Sequence, residues 1–127
     1  MKVILTICSK NKDKNEVLMP ARKRYLSDRI KKVEQISINN KLPFYILSGK
    51  FGIINSNELI PFYDKLLKQE DIKNLLPLVR DQLIQEKITE IIFYGEGINT
   101  KGWKAYYEII EKITNKLNIK LEEIIIK

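Results

Sequence analysis

Two kinds of apolar pattern alternate along this chain, and their alternation limits it to few folds. Short segments rich in apolar, branched and aromatic residues predict strands at Lys2–Cys8, Pro43–Ser48, Ile88–Tyr94 and Leu121–Ile126. The first of them is almost continuously apolar, which is typical of a strand buried on both faces of a sheet. Between them, apolar residues recur every three or four positions, which predicts helices over 20–38, 70–87 and about 99–117. The predicted order is therefore βαβαβαβ.

Strands joined by helical crossovers pair in parallel through right-handed connections. We therefore predict a single α/β domain over residues 1–127, a three-layer α/β/α sandwich around a four-stranded, mainly parallel sheet. The strand order 2-1-3-4 is expected, because it places helices on both faces. In that order the topological switch point lies between strands one and three, at their C-terminal ends, where open sheets bind ligands.

Two segments fit this scheme less well. Residues Phe51–Lys68 show no clear period and contain Pro61, so we predict a long loop with at most a short helical turn. Pro77 interrupts the second helical stripe, which predicts either a kink or a helix that starts near Asn74.

Composition narrows the class of protein. The chain is 44% hydrophobic and 31% charged, which is typical of a packed globule. It holds no apolar run of about 18 residues, so we expect no membrane span. Its single cysteine cannot form an internal disulfide, which favours a cytoplasmic location. The chain has no histidine and no convincing set of paired carboxylates, so we expect neither a bound metal nor a cofactor.

The charge of the chain is strongly uneven. The net charge is +7, and residues 1–50 hold 12 Lys/Arg against 4 Asp/Glu. This excess predicts a surface that meets phosphates or nucleic acid. An equally simple interpretation is a solvated face in a protein whose lysine content reflects an AT-rich genome. The candidate nucleic-acid-binding residues lie on the first helix: Arg22, Lys23, Arg24, Arg29 and Lys32.

Polar residues that follow the first three predicted strands, together with Tyr63 and Asp64 of the long loop, form the candidate site. Asp64 is the candidate base or water-orienting carboxylate, and Lys50, with Lys10, is expected to stabilise developing negative charge. Candidate substrate-binding residues are Ser9, Lys10, Ser48, Gly49, Tyr63 and Glu96. Each motif also fits an ordinary turn, since glycine, serine and aspartate are common turn residues.

Two other groups of residues favour packing over chemistry. Cys8 follows the first strand, but no histidine can activate its thiol, so a buried apolar role is favoured. Trp103, Tyr106 and Tyr107 could stack nucleobases, yet their spacing matches the inward stripe of the third helix. We therefore expect these rings in the core.

Four of these motifs together resemble a known group of proteins. The motifs are Cys8-Ser9-Lys10, Pro20-Ala21 with Tyr25, Ile46–Gly52 and Ile60–Asp64. They resemble a family of small uncharacterised bacterial, archaeal and phage proteins related to the YaaA peroxide-stress proteins, which are similar to DNA-binding proteins. The resemblance covers about residues 3–66.

The resemblance implies a fold similar to that of uracil-DNA glycosylase. The shared polar positions are Ser9, Lys10, Ser48, Lys50, Tyr63 and Asp64. The chain lacks the histidine loop and the water-activating Gly-Gln-Asp-Pro-Tyr-His stretch of true glycosylases, which argues against base excision. Fold analogy alone does not establish a function.

The residues and the resemblance together predict a nucleic-acid- or nucleotide-binding domain with a small pocket at the strand ends. Whether the pocket also acts on a nucleobase or nucleotide stays open. Two alternatives also remain: an enzyme for a free nucleotide or nucleoside that binds no polymer, and a non-enzymatic interaction module.

Overall fold

The apolar N-terminal run is the central strand of a five-stranded sheet. The computed structural model describes residues 1–65 and 67–126. Its strands are β1 (Lys2–Ile7), β2 (Met19–Pro20), β3 (Phe44–Ser48), β4 (Gly52–Asn55), β5 (Leu59–Ile60), β6 (Glu90–Gly95) and β7 (Lys120–Ile125). Its α-helices are α1 (Ala21–Arg24), α2 (Asp28–Asn40), α3 (Ile72–Gln85) and α4 (Lys104–Leu117).

The large sheet has the order β4-β3-β1-β6-β7. β1 pairs in parallel with β3 and β6, and β6 pairs in parallel with β7, whereas β4 is antiparallel to β3. The prediction of an α/β fold with a mainly parallel sheet is confirmed. The sheet has five strands, however, and not the predicted four. The four predicted strands correspond to β1, β3, β6 and β7.

The additional strand β4 arises from a hairpin that the sequence pattern did not reveal. Ser48 pairs with Gly52, so the connecting loop has three residues. The Ser48 hydroxyl accepts hydrogen bonds from the backbone N–H groups of Lys50 (3.1 Å) and Phe51 (3.0 Å). Gly52 then adopts φ +74°, which glycine tolerates and which this hairpin type requires. The prediction of a long loop over 51–68 was therefore wrong, since β4 and β5 lie within it.

The first predicted helix is interrupted. Tyr25 is extended (φ −85°, ψ 114°) and separates α1 from α2. Its backbone forms an isolated antiparallel bridge with Lys12, flanked by hydrogen bonds from Asp13 N to Arg24 O and from Leu26 N to Asn11 O. This long-range bridge draws the chain out of helical conformation although the apolar spacing continues.

The second predicted helix is longer than Pro77 suggested. α3 begins at Ile72, before the predicted alternative start at Asn74, and it continues through Pro77. A short 3₁₀ turn at Gln69–Asp71 precedes it. The proline lies in the first half of the helix, where the cost of its missing N–H is offset by the buried stripe of α3.

The helices lie on opposite faces of the sheet. Leu5 and Phe93 are register partners and share one face, on which the Phe93 ring lies 5.0 Å from that of Tyr107 in α4. The next residue of β1, Thr6, points to the other face, where its hydroxyl accepts a hydrogen bond from Arg29 of α2. α3 packs against α4, as right-handed crossovers require.

The core confirms two of the packing predictions. Trp103, Tyr106 and Tyr107 are all buried, so the third helical stripe is a core stripe. Cys8 is buried as well, as predicted. Within residues 1–65 and 67–126, no helix is both long and apolar enough to cross a bilayer.

Candidate functional site

A cleft with two lobes opens beside the C-terminal end of β1. Each lobe has a volume of about 420 Å³, and the two share Lys10, Lys12 and Asp64. We call them the inner and the outer lobe. The inner lobe is also lined by Cys8, Ser9, Arg29, Lys65, Lys101 and Trp103, with Tyr106 behind them. The outer lobe is also lined by Asn11, Lys14, Phe62 and Tyr63.

The inner lobe is strongly cationic. Among the described residues that line it, five carry positive charge and one, Asp64, carries negative charge. Two of the cations have acidic partners nearby, since Lys65 lies 3.6 Å from Asp71 and Arg29 lies 3.3 Å from Glu96. A concave surface with one sign of charge concentrates the field and attracts anions.

Lys12 is the least expected member of the cleft. Only 8% of the residue is exposed, which is rare for lysine. Its Nζ lies 4.8 Å from the ring centroid of Tyr63 and 6.0 Å from that of Tyr25, within the range of cation–π attraction. Its hydrogen bond to the Lys10 carbonyl oxygen is long, at 3.4 Å. No motif marked this residue, because nothing local distinguishes it among 19 lysines.

Arg29 fixes the end of β1. Its Nη1 donates to the Thr6 hydroxyl (2.7 Å) and the Ile7 carbonyl oxygen (2.8 Å), and its Nη2 donates to the Cys8 carbonyl oxygen (3.3 Å). The guanidinium lies 4.8 Å from the Trp103 ring centroid. Burial lowers the pKa of Arg29, and the neighbouring carboxylate of Glu96 opposes that shift. Arg29 therefore holds the backbone that carries the cleft.

A chain of buried hydroxyls supports the wall of the outer lobe. The Tyr63 hydroxyl hydrogen-bonds with Ser48 Oγ at 2.9 Å and with the Tyr25 hydroxyl. Because Ser48 Oγ already accepts two backbone N–H bonds, its own O–H is directed to Tyr63. Tyr63 then donates to Tyr25. Burial raises the pKa of both tyrosines, so both phenols stay protonated at neutral pH.

Gly49 allows close packing behind the inner lobe. A Cβ at this position would lie 3.1 Å from the Tyr106 hydroxyl and 3.2 Å from Leu67 Cβ. The Tyr106 hydroxyl also lies 3.3 Å from Cys8 Sγ. Burial raises the pKa of Tyr106. Gly49 thus serves close packing behind the cleft and does not reach its surface.

A family of unknown function, DUF6884, matches residues 3–126. The chain belongs to this family. No curated protein and no solved structure matches it significantly. The resemblance to the YaaA proteins and to the uracil-DNA glycosylase fold therefore stays a prediction.

The cleft brings together only part of the predicted site. Lys10, Asp64 and Ser9 line it, and Tyr63 lines the outer lobe. The Ser9 hydroxyl donates to the Asn11 carbonyl oxygen at 2.7 Å and so shapes the loop.

The other predicted site residues lie outside the cleft. Ser48 and Gly49 are buried behind its wall. Among the described residues that line the two lobes, Lys50 is absent, and its Nζ lies 5.4 Å from the ring centroid of Phe51 and 5.9 Å from that of Tyr63. Glu96 is linked to the cleft by its ion pair with Arg29 (3.3 Å).

The predicted basic face of the first helix needs correction. Arg24 has no exposed surface, and its guanidinium donates to four backbone carbonyl oxygens, those of Asp13, Asn15, Val17 and Ile60. Arg24 thus points inward and holds loops, whereas Arg29 lines the inner lobe of the cleft and adds nothing to the outer face of the helix. Arg24 was misassigned because a buried guanidinium and a solvated one look alike in sequence.

The remaining residues of that predicted face differ in their surroundings. Arg22 is half-buried, donates to Asn57 Oδ1 (2.9 Å) and lies 3.9 Å from Glu34. Lys23 and Lys32 are exposed. A continuous basic surface on this helix is therefore smaller than the sequence suggested.

A second cavity, of about 560 Å³, lies at the other side of the β6 end and is acidic. It is lined by Glu96, Glu111 and Glu123 together with Tyr107. Partial burial, together with a hydrogen bond to Glu111 and its charge, raises the pKa of Glu123 to about 7. Within the described residues, no group of three or more His, Cys, Asp or Glu is arranged to hold a metal ion. This cavity does not suit an anionic ligand.

Proposed function

We propose that this chain is a nucleotide- or nucleic-acid-binding domain that holds the phosphate of its ligand in the two-lobed cleft. The observation that carries the proposal is the inner lobe, where five cationic side chains surround a concave surface with a single carboxylate among its described residues. Phosphate groups are bound by such convergent lysine and arginine donors. The position at the end of β1 is also where open parallel sheets bind ligands.

The lining of the inner lobe favours a nucleoside beside that phosphate. Ile7, Cys8, Trp103 and Tyr106 supply an apolar and aromatic wall next to the cations. The volume of about 420 Å³ lies within the range typical of small-ligand sites, roughly 300–1,000 Å³. A ligand with a charged end and a flat, weakly polar end fits both parts of this lining.

Asp64 is the group in the cleft suited to proton transfer. It is exposed at the junction of the two lobes, where it can orient a water molecule or accept a proton beside a bound phosphate. Lys10 and Lys12 line the same cleft and can stabilise developing negative charge, a role that the sequence assigned to Lys50 together with Lys10.

Calorimetry and thermal unfolding test the proposal. Mononucleotides, short oligonucleotides and inorganic phosphate are titrated into the protein at low and at moderate salt. We expect nucleotides to bind with an affinity that falls as salt rises, and to stabilise the fold by about 2.7 kcal/mol at 100 times Kd. Absence of binding by every nucleotide at low salt would overturn the proposal.

A matched pair of variants locates the binding. Lys10→Met with Lys101→Met removes two exposed cations of the inner lobe. Lys73→Met with Lys116→Met removes the same charge from exposed positions on α3 and α4. We expect the first pair to weaken nucleotide binding at least tenfold and the second pair to change it less than twofold. Equal losses would mean that net charge, and not the cleft, binds the ligand.

A further inference from the structure

The two lobes of the cleft meet at a buried lysine, and this arrangement points to a more specific ligand. The inference rests on the proposed function, since it takes the cleft as the site of a nucleotide phosphate. Lys12 lines both lobes, and each lobe has the same volume of about 420 Å³. A ligand group bound by Lys12 therefore has a lobe on each side of it into which the rest of the ligand can extend.

The surroundings of Lys12 suit an anion. Among residues 1–65 and 67–126, no carboxylate forms an ion pair with its ammonium. The one hydrogen bond that its ammonium forms within the described part of the chain, to the Lys10 carbonyl oxygen at 3.4 Å, uses one of three donors and is weak. A buried cation is costly without a compensating anion. The rings of Tyr25 and Tyr63 compensate part of that cost, and the open cleft leaves room for the rest.

Each lobe carries its own aromatic side chain. Phe62, which is 38% exposed, lines the outer lobe, and Trp103, which is 6% exposed, lines the inner lobe with the Arg29 guanidinium 4.8 Å from its ring centroid. Nucleobases of any identity stack on aromatic rings and on arginine guanidinium planes. A terminal phosphate on Lys12 would carry one nucleoside and leave one lobe unused.

We propose that Lys12 binds an internal phosphodiester whose two flanking nucleosides occupy the inner and outer lobes, so that the cleft takes a dinucleotide step of a single strand. Lys10 lines both lobes beside it and adds a second cation to the phosphodiester. The backbone bridge between Lys12 and Tyr25 fixes the loop that presents this ammonium.

The test distinguishes binding of an internal phosphodiester with two nucleosides from simple attraction of negative charge. Each 5′-mononucleotide is compared by calorimetry with the dinucleoside monophosphate of the same base, in deoxyribose and ribose forms. The dinucleoside monophosphate has the lower charge, so simple attraction favours the mononucleotide. We expect the dinucleoside monophosphate to bind at least tenfold more tightly for one or more bases, because it adds a second stacked base.

Two variants, each with a control, test whether the tighter binding of the dinucleoside monophosphate depends on the cleft. Phe62→Ala is expected to reduce the ratio of the mononucleotide Kd to the dinucleoside monophosphate Kd to less than threefold. Leu59→Ala truncates an exposed apolar side chain outside the cleft and is expected to leave this ratio unchanged. Lys12→Met is expected to weaken dinucleoside monophosphate binding at least tenfold, and Lys73→Met less than twofold. Far-UV circular dichroism confirms that each variant is folded.

The outcomes keep the two proposals distinguishable. Mononucleotides that bind at least as tightly as the dinucleoside monophosphate for every base would overturn the phosphodiester site and leave the proposed function standing. Binding of neither ligand at low salt would overturn both. A folded Lys12→Met variant with unchanged dinucleoside monophosphate affinity would remove Lys12 from the site.

Discussion

Replacing Tyr63 by phenylalanine deletes one hydroxyl at the centre of the buried chain that supports the cleft. That hydroxyl accepts a hydrogen bond from Ser48 Oγ at 2.9 Å and donates one to the Tyr25 hydroxyl. Ser48 has no exposed surface and Tyr25 is almost fully buried, so water cannot replace the lost partner. The substitution therefore leaves two buried polar groups with unmet hydrogen-bonding capacity.

The size of the effect follows from those two groups. A buried polar group that loses its partner costs about 1–3 kcal/mol, and the phenyl ring itself is retained. We expect Tyr63→Phe to lower the free energy of unfolding by about 2–4 kcal/mol. For a domain of this length, 1 kcal/mol corresponds to roughly 3–5 °C in Tm. Tyr94→Phe is the matched control, because no hydrogen bond of the Tyr94 hydroxyl is found among the described residues.

A double-mutant cycle with Ser48→Ala completes the experiment, measured by urea unfolding. Ser48→Ala also removes the acceptor of the Lys50 and Phe51 amides, so it destabilises on its own. Because both variants delete the Ser48–Tyr63 bond, the double variant should cost at least about 1 kcal/mol less than the sum of the singles. Additive costs, or a Tyr63→Phe effect no larger than that of Tyr94→Phe, would refute the hydroxyl chain.

Two further predictions concern charged groups. Arg24→Lys should lower the free energy of unfolding by about 2–4 kcal/mol and speed amide exchange over 13–17. The reason is that one ammonium cannot supply the fork of donors with which the guanidinium reaches four carbonyl oxygens. A Tm within about 2 °C of the parent would contradict this. In the folded state the pKa of Glu123 is raised from 4.5 to about 7. Folding therefore takes up protons between these two pH values, and the free energy of unfolding decreases as the pH rises from about 4.5 to 7. Glu123→Gln should flatten this pH slope of Tm and Glu122→Gln should not; equal slopes in the two variants would show that the shift is absent.

The strands were predictable because their signal is local. A strand buried on both faces is an almost unbroken apolar run, as in β1 and β3. β4 was missed because it has four residues and follows a glycine-rich loop that was interpreted as a ligand loop. A three-residue loop followed by Gly52 and then by Ile53-Ile54 is a hairpin signal that could have identified it.

The break between α1 and α2 was not predictable in the same way. The apolar spacing continues across it, and the cause is the bridge between Tyr25 and Lys12, a contact between segments that lie 13 positions apart. Local periodicity contains no information on such a contact. Tertiary structure here overrides helical propensity.

The candidate site was likewise predictable only in part. Sheet topology brings together the loops that follow neighbouring strands, which is why the sequence placed Lys10 at this edge, where it lines the cleft. Asp64 also lines the cleft, but it follows β5, and its position does not follow from the topology of the large sheet. Which of many cations turns inward depends on the packing of the whole chain. Lys12 was therefore missed, and Arg24 was assigned to a surface although it is fully buried.

A nitrogen-15 NMR titration tests the central claim, that the cleft at the end of β1 binds a phosphorylated nucleoside, most directly. Uniformly labelled protein is titrated at low salt with the nucleotide that calorimetry identifies as tightest. The account predicts that amide shifts change mainly over 9–14, 62–65 and 101–103, which form the two lobes. Changes confined to the exposed face of α2, or none at saturating ligand, would contradict it.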